Sequence, residues 1–145
     1  MAGLPIFASD MDRMDFLSLL KGIADVSRWT CHAYCLMTTH YHIVIEATRE
    51  HISRGMHQLN GRYAMLFNRR HGRRGHLFES RFSAWVIRDE EHLEATCRYV
   101  LDNPARAGIG TKQPWPWAAL EPYASRLRTS SSVTSAKSTY ERPTA

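Results

Sequence analysis

Two kinds of spacing between apolar residues divide the first hundred residues into helices and strands. Steps of three and four predict three helices: from the Ser9–Asp12 capping box to about Asp25, from Ile52 to about Arg70, and from about residue 88 to the residue before Pro104. Strand-favouring or alternating runs predict strands over residues 29–37, 40–47 and 81–87, the first two forming an antiparallel hairpin. This order of elements predicts an α+β fold.

The predicted strand over residues 40–47 carries two histidines on one face. Successive side chains of a strand point to opposite sides, so His40 and His42 share a face with Glu46. The opposite face is wholly apolar and is expected to be buried; it consists of Tyr41, Ile43, Ile45 and Ala47. The two imidazoles could converge on one metal ion, or they could simply decorate a half-exposed strand, and the His-x-His spacing leaves both interpretations open.

Composition indicates one globular domain. The chain has 145 residues, of which 43% are hydrophobic, enough for a single core. No apolar run is long enough to span a bilayer, and acidic residues near the N-terminus argue against a signal peptide, so we expect a cytoplasmic protein with no membrane partner. Three cysteines are too few for a disulfide framework or a closed zinc site.

Positive charge is concentrated in the middle of the chain. The net charge is +5, but residues 51–81 contain seven arginines and only one acidic residue, Glu79. Arginine suits phosphate, and aromatic residues between the arginines could stack on bases, so this segment predicts a surface for single-stranded nucleic acid. A solvated helix surface is the alternative. The candidate DNA-binding residues are Arg62, Arg69, Arg70, Arg73, Arg74 and Arg81.

A compositional change divides the chain near its C-terminus. Residues 125–145 are rich in Ser and Thr and poor in apolar residues, which predicts a disordered tail after a domain over residues 1–124.

Tyr99 lies off the apolar stripe of the last predicted helix. The core-facing residues there are Leu93, Cys97, Val100 and Leu101, whereas Tyr99 shares a face with Asn103, one turn later. A phenol can attack a phosphodiester if the phosphate is polarised, and a divalent ion held by His40 and His42 would polarise it. From the helix pattern alone, Tyr99 could equally be an ordinary half-exposed aromatic residue.

Four blocks of the chain resemble a known family. "AYCLMTTHYHIVIEA", "GHLFESRF", "YVLDNPARAGI" and "PWPWAALEPY" occur in the order and spacing of the single-tyrosine HUH transposases, and they resemble most the REP-associated tyrosine transposases. The resemblance covers about residues 5–124. It implies a ferredoxin-like antiparallel sheet with helices on one face.

The resemblance also implies roles for individual residues. The metal-binding His-hydrophobic-His motif falls on His40 and His42, which would hold Mg²⁺ or Mn²⁺, with Asn103 as a third ligand. The nucleophile falls on Tyr99. Such proteins cut single-stranded DNA beside hairpin or palindromic elements, leaving a 5′-phosphotyrosine and a free 3′-hydroxyl. A bacterial-type, nucleoid-associated protein is implied, acting as a monomer or a homodimer.

The chain departs from this pattern at its beginning. Relatives usually have a first strand before the segment matched by "PIF", central in the sheet and beside the histidine strand, whereas here Met1 follows it. A misplaced start or a decayed gene copy would explain the difference. The alternative function is therefore a catalytically decayed or truncated relative that only binds hairpin DNA. A relaxase-like or replication-initiating HUH nuclease fits less well, because the four blocks are not typical of those enzymes.

Overall fold

The three predicted helices and the three predicted strands lie close to their predicted positions. The structure is a computed structural model that describes residues 5–78, 82–108 and 115–120 and the backbone of residues 132–139. The elements are α1 (Asp10–Ser27), β1 (Thr30–Leu36), β2 (His40–Ala47), α2 (Arg49–His71), β3 (Ser83–Ile87), α3 (Glu90–Leu101), α4 (Asn103–Arg106), β4 (Ala118–Leu120) and β5 (Ser132–Thr139).

Local signals account for where the helices begin and end. The predicted capping box is present at the start of α1, where the Ser9 hydroxyl accepts from the backbone N–H of Asp12 and the Asp12 carboxylate accepts from that of Ser9. The Thr48 hydroxyl caps α2, which ends at Gly72 with φ 61°, a left-handed conformation that favours glycine. The Asp89 carboxylate caps α3.

A single antiparallel sheet has the strand order β3-β5-β2-β1-β4. The predicted hairpin is confirmed, since β1 pairs with β2 from Leu36 opposite Tyr41 to Thr30 opposite Glu46. The register shifts between Cys31 and Ala33, so His32 occupies a bulge. The α+β class is confirmed, and the arrangement is consistent with a ferredoxin-like fold.

The C-terminal segment differs from its predicted disorder. Residues 132–139 form β5, which pairs antiparallel with β2 along its whole length and with β3 on its other side. This strand therefore takes the central position, beside β2, in which the family pattern has its first strand. Composition did not indicate this, because backbone hydrogen bonds to two open strand edges require no apolar side chains. The other residues of the 125–145 segment lie outside the described residues.

The sheet is covered by helices on both faces, not on one as predicted. On the first face, α1 and α2 pack an aromatic core against Tyr41, Ile43 and Ile45. On the second face, α3 packs a smaller core against Val44; its members include Ala33, Cys35, Leu93, Cys97 and Val100. The prediction of helices on one face was wrong because the short apolar stripe of α3 also has to be buried against an apolar surface, and the second face of the sheet provides that surface.

An ion-pair cluster joins α1 to α2 on the first face. The fully buried Asp12 carboxylate lies 2.6 Å from Arg70 Nη1 and 2.9 Å from His71 Nε2. Asp15 lies 2.6 Å from the other terminal nitrogen of Arg70. Burial acts to raise the pKa of Asp12, but hydrogen bonds from Arg70 and His71 outweigh it, so the pKa lies below its ordinary value.

Candidate active site

His40 and His42 lie together near the start of β2. Their ring centroids are 5.1 Å apart and the rings are perpendicular. His40 is half-buried, whereas His42 is only 6% exposed, because its face of the sheet lies beneath α3. A half-exposed strand was one of the two interpretations left open by the sequence; the structure instead buries both faces of β2 and thereby encloses His42. Across the sheet, the backbone register places His42 opposite residue 137 of β5.

Tyr99 lies on α3, next to the histidines. Leu93, Cys97 and Val100 bind α3 to the sheet through their apolar side chains, as the helical spacing predicted. Tyr99 projects off this stripe and is 55% exposed. Its ring centroid is 6.4 Å from that of His42, with the two rings perpendicular. The fold therefore brings together a tyrosine and a histidine that are 57 positions apart in the sequence.

Asn103 lies where α3 gives way to α4. Its side-chain amide donates to the backbone carbonyl oxygens of Val100, at 3.4 Å, and Tyr99, at 3.5 Å. The amide thus satisfies carbonyl groups that the end of a helix leaves without partners. This is a structural role at the C-terminus of α3, and the proposed role as a third metal ligand stays a prediction.

The donors in this region suit a divalent ion with an incomplete protein shell. No group of three or more His, Cys, Asp or Glu residues that could hold an ion occurs within the described part of the chain. Glu46, the carboxylate on the same face, lies 3.0 Å from the buried His32 ring. A pair of adjacent imidazoles leaves most coordination positions open, as a catalytic site requires for substrate oxygens.

Sequence reasoning missed Arg106, which contacts Tyr99 directly. The Arg106 guanidinium carbon lies 3.7 Å from the centroid of the Tyr99 ring, and Nη2 donates to the Tyr99 carbonyl at 2.8 Å. Arg106 follows Tyr99 by seven residues, which is two helical turns. That spacing could have indicated the contact, but Pro104 between them suggested that the helical face did not continue.

The predicted DNA-binding arginines fall into three groups. Arg62, Arg69 and Arg74 are exposed. Arg70 lies between Asp12 and Asp15, and Arg73 donates to Asn68 and to the backbone of His76, so both hold the structure around the end of α2. Arg81 lies outside the described residues.

The sheet, its covering helices and the Tyr99–His42 pair define an α+β protein with an exposed tyrosine beside a pair of histidines. A protein-family model, that of the IS200-like transposases, matches residues 5–103. This match covers more than half of the chain, so the chain belongs to the IS200-like transposase family. Membership makes DNA transposition its general function. No curated protein and no solved structure matched the chain.

The length and the apolar character of the helices bear on membrane association. Within the described ranges, none of the helices combines the length and the apolar character needed to cross a bilayer.

Proposed function

We propose that this transposase cleaves hairpin-bearing single-stranded DNA through Tyr99 and then transfers the cleaved strand. The observation that carries the proposal is the position of the exposed Tyr99 ring, 6.4 Å from the ring of His42. A nucleophile has to reach both the substrate and the group that polarises it, and this tyrosine combines exposure with a neighbouring candidate metal ligand. The proposed reaction takes place in the cytoplasm, next to the nucleoid.

The proposed step exchanges one phosphate ester for another. The Tyr99 oxygen attacks the phosphorus atom, an O–P bond forms, and the bond from phosphorus to the 3′-oxygen breaks. The proton lost by the phenol is balanced by the proton gained by the leaving 3′-oxygen. The product is a 5′-phosphotyrosine with a free 3′-hydroxyl, and attack by a 3′-hydroxyl reverses the step. No energy source is needed, because the number of phosphate ester bonds does not change.

His40 and His42 would hold Mg²⁺ or Mn²⁺, and Asn103 would complete the protein ligands if its oxygen turned towards the ion. The bound ion supplies polarisation of the scissile phosphate. Imidazole is a better ligand for Mn²⁺ than for Mg²⁺, so a site made mainly of histidines favours Mn²⁺ when both are offered at equal concentration. Burial of His42 beneath α3 restricts its ring to one orientation.

Exposed arginines supply the proposed contact with the DNA backbone. Arg62 and Arg69 lie on the exposed side of α2 and Arg74 follows in the loop, so the three could contact successive phosphates. Arg70 and Arg73 would act indirectly by holding the end of α2 in place. The partner is single-stranded DNA with a hairpin or palindromic element, bound by a monomer or a homodimer.

The experiment is to incubate the full chain with a 5′-labelled or 3′-labelled hairpin oligonucleotide and Mn²⁺ or Mg²⁺. A covalent adduct should survive denaturing electrophoresis only when the label lies 3′ of the cleavage site. Addition of EDTA should prevent adduct formation. A folded preparation that forms no adduct with any of a panel of hairpins would contradict the proposal.

The second candidate function is a relative that binds hairpin DNA without cleaving it, and the departure from the family pattern in which β5 lies beside the histidine strand favours it. In that case binding would weaken steeply with salt while no adduct formed. Arg69→Ala and Arg74→Ala should each reduce the salt dependence of binding by about one counterion under either function. Only the adduct distinguishes the two functions.

A further inference from the structure

The exposed Tyr99 ring has a planar cation stacked on it. The Arg106 guanidinium carbon lies 3.7 Å from the ring centroid, a distance typical of direct stacking and well within the range of about 6 Å over which a cation is attracted to an aromatic face. The contact covers a face of the ring. Tyr99 nevertheless remains 55% exposed.

A second contact anchors the guanidinium itself. Arg106 Nη2 donates to the backbone carbonyl of Tyr99 at 2.8 Å, so the cation is bound to the residue whose ring it covers. That carbonyl belongs to the last turn of α3, where cations are favoured by the helix dipole. Among the described residues, no carboxylate forms an ion pair with Arg106 of α4, unlike Arg98 of α3, which pairs with Glu94 at 2.9 Å.

The two neighbours of the ring together restrict its orientation. His42 meets the Tyr99 ring perpendicularly, at 89°, and Arg106 covers one face. An exposed tyrosine on a helix would otherwise exchange between side-chain rotamers within nanoseconds. In-line attack on phosphorus requires one orientation, and a misplacement of about 1 Å can slow a reaction about 100-fold.

We propose that Arg106 is a positioning residue for Tyr99: its guanidinium stacks on the phenol ring and holds the hydroxyl in the orientation needed for attack. The proposal rests on the proposed function, since it assigns a task to Arg106 in the same step. It requires the planar guanidinium in addition to the positive charge, because an ammonium group cannot stack as a plane.

The first test measures adduct formation at saturating hairpin DNA. Arg106→Ala should slow it about 10- to 100-fold, while the Kd for DNA changes less than about threefold. Arg106→Lys keeps the charge but not the plane and should recover only a minor part of the rate. Arg98→Ala is the matched control, an exposed arginine of α3, and should form the adduct at the unsubstituted rate. Thermal unfolding of all four proteins should agree closely.

The second test needs neither DNA nor metal. With 3-fluorotyrosine incorporated at the six tyrosines and Tyr99→Phe used to assign the signal of position 99, Arg106→Ala should shift and narrow that fluorine resonance, and Arg98→Ala should not. A resonance unaffected by Arg106→Ala overturns the positioning role. So does a normal adduct rate in Arg106→Ala, or a loss that full saturation with DNA restores. Absence of adduct in the unsubstituted chain instead contradicts the proposed function, and the fluorine signal still decides whether Arg106 orders the ring.

Discussion

The two faces of the sheet are both buried but differ in what they bury. The face beneath α1 and α2 is an aromatic core in which Phe7, Phe16 and Tyr63 pack with ring centroids 5.4–5.6 Å apart. The face beneath α3 has a smaller aliphatic core, and the polar groups buried with it are His32, His42 and Glu46. The first face also buries a charged group, Asp12, but pairs it with Arg70 and His71 of α2. Polar groups are costly to bury, and His42 is buried beside the exposed Tyr99, so the face beneath α3 is the candidate functional face.

The same contrast separates two tyrosines. Tyr63 is fully buried, its hydroxyl donates to the Ile6 carbonyl at 2.5 Å, and burial raises its pKa. Tyr99 is 55% exposed beside His42. A buried hydroxyl that already has an acceptor serves packing, whereas an exposed one beside a candidate metal ligand can meet a substrate. Position relative to the two cores, rather than residue type, therefore makes Tyr99, and not Tyr63, the candidate nucleophile.

The largest expected effect is loss of the nucleophile. Tyr99→Phe removes one oxygen and should abolish the covalent DNA adduct while leaving the free energy of unfolding unchanged within about 0.5 kcal/mol, as for an exposed position. Tyr63→Phe should do the opposite: it leaves the buried Ile6 carbonyl without its donor, costs about 1–3 kcal/mol, and keeps the adduct. Denaturing gels and urea unfolding measure the two quantities. An adduct formed by Tyr99→Phe would disprove the assignment.

Removal of a histidine comes next. His40→Ala and His42→Ala should each lower the adduct rate by at least about 100-fold and leave hairpin binding largely intact, because the ion acts on the phosphate more than on docking. His57→Ala, on the exposed side of α2, is the control and should change neither quantity. Because His42 is buried, a substitution there can also destabilise the fold. His42→Gln should therefore be made as well, and its thermal unfolding compared with that of His42→Ala and of the unsubstituted protein. Joint loss of folding and binding in both His42 variants would point to a purely structural histidine.

The packing of α2 on the first face of the sheet can be tested by substituting two glycines of this helix. A Cβ at Gly55 would collide with the Trp29 ring, whose Cε2 atom would lie 2.8 Å away, whereas a Cβ at Gly61 would meet nothing within 4 Å. Gly55→Ala should therefore destabilise the protein by about 1–3 kcal/mol through overpacking. Gly61→Ala should stabilise it by about 0.5–1 kcal/mol, the usual gain over glycine inside a helix. Urea unfolding distinguishes the two signs, and equal signs would contradict the described packing.

The smallest expected effect is a dependence of stability on pH from the Asp12 cluster. Because the pKa of Asp12 is lowered on folding, its contribution is fully present above the ordinary aspartate pKa, at roughly pH 4, and is lost as the pH falls through the lower folded value. Asp12→Asn should be less stable at neutral pH and should show a flatter dependence of the free energy of unfolding on pH below about pH 4. An unchanged slope would exclude Asp12 as its source.

Much of the local structure was predictable from the sequence. The capping box at Ser9, the β1–β2 hairpin, the helix from Ile52 to about Arg70 and the off-stripe position of Tyr99 are all confirmed. Each depends on residues close together in the chain, for which helical and strand periodicity is a direct guide. The arginines show the limit of this reasoning, because Arg69 and Arg70 are neighbours of identical chemistry and only Arg70 meets two carboxylates of α1.

The sequence by itself determined which residues could do chemistry: the His40–His42 pair, an off-stripe tyrosine and an excess of arginine around α2. Only the tertiary structure decided which of them meet. It placed α3 on the opposite face from α1 and α2, set Tyr99 beside His42 and under Arg106, and put β5 in the central position of the sheet. The physical reason is that these outcomes depend on contacts between distant segments, and such contacts follow from which apolar faces and open strand edges are left to be paired once the local elements have formed.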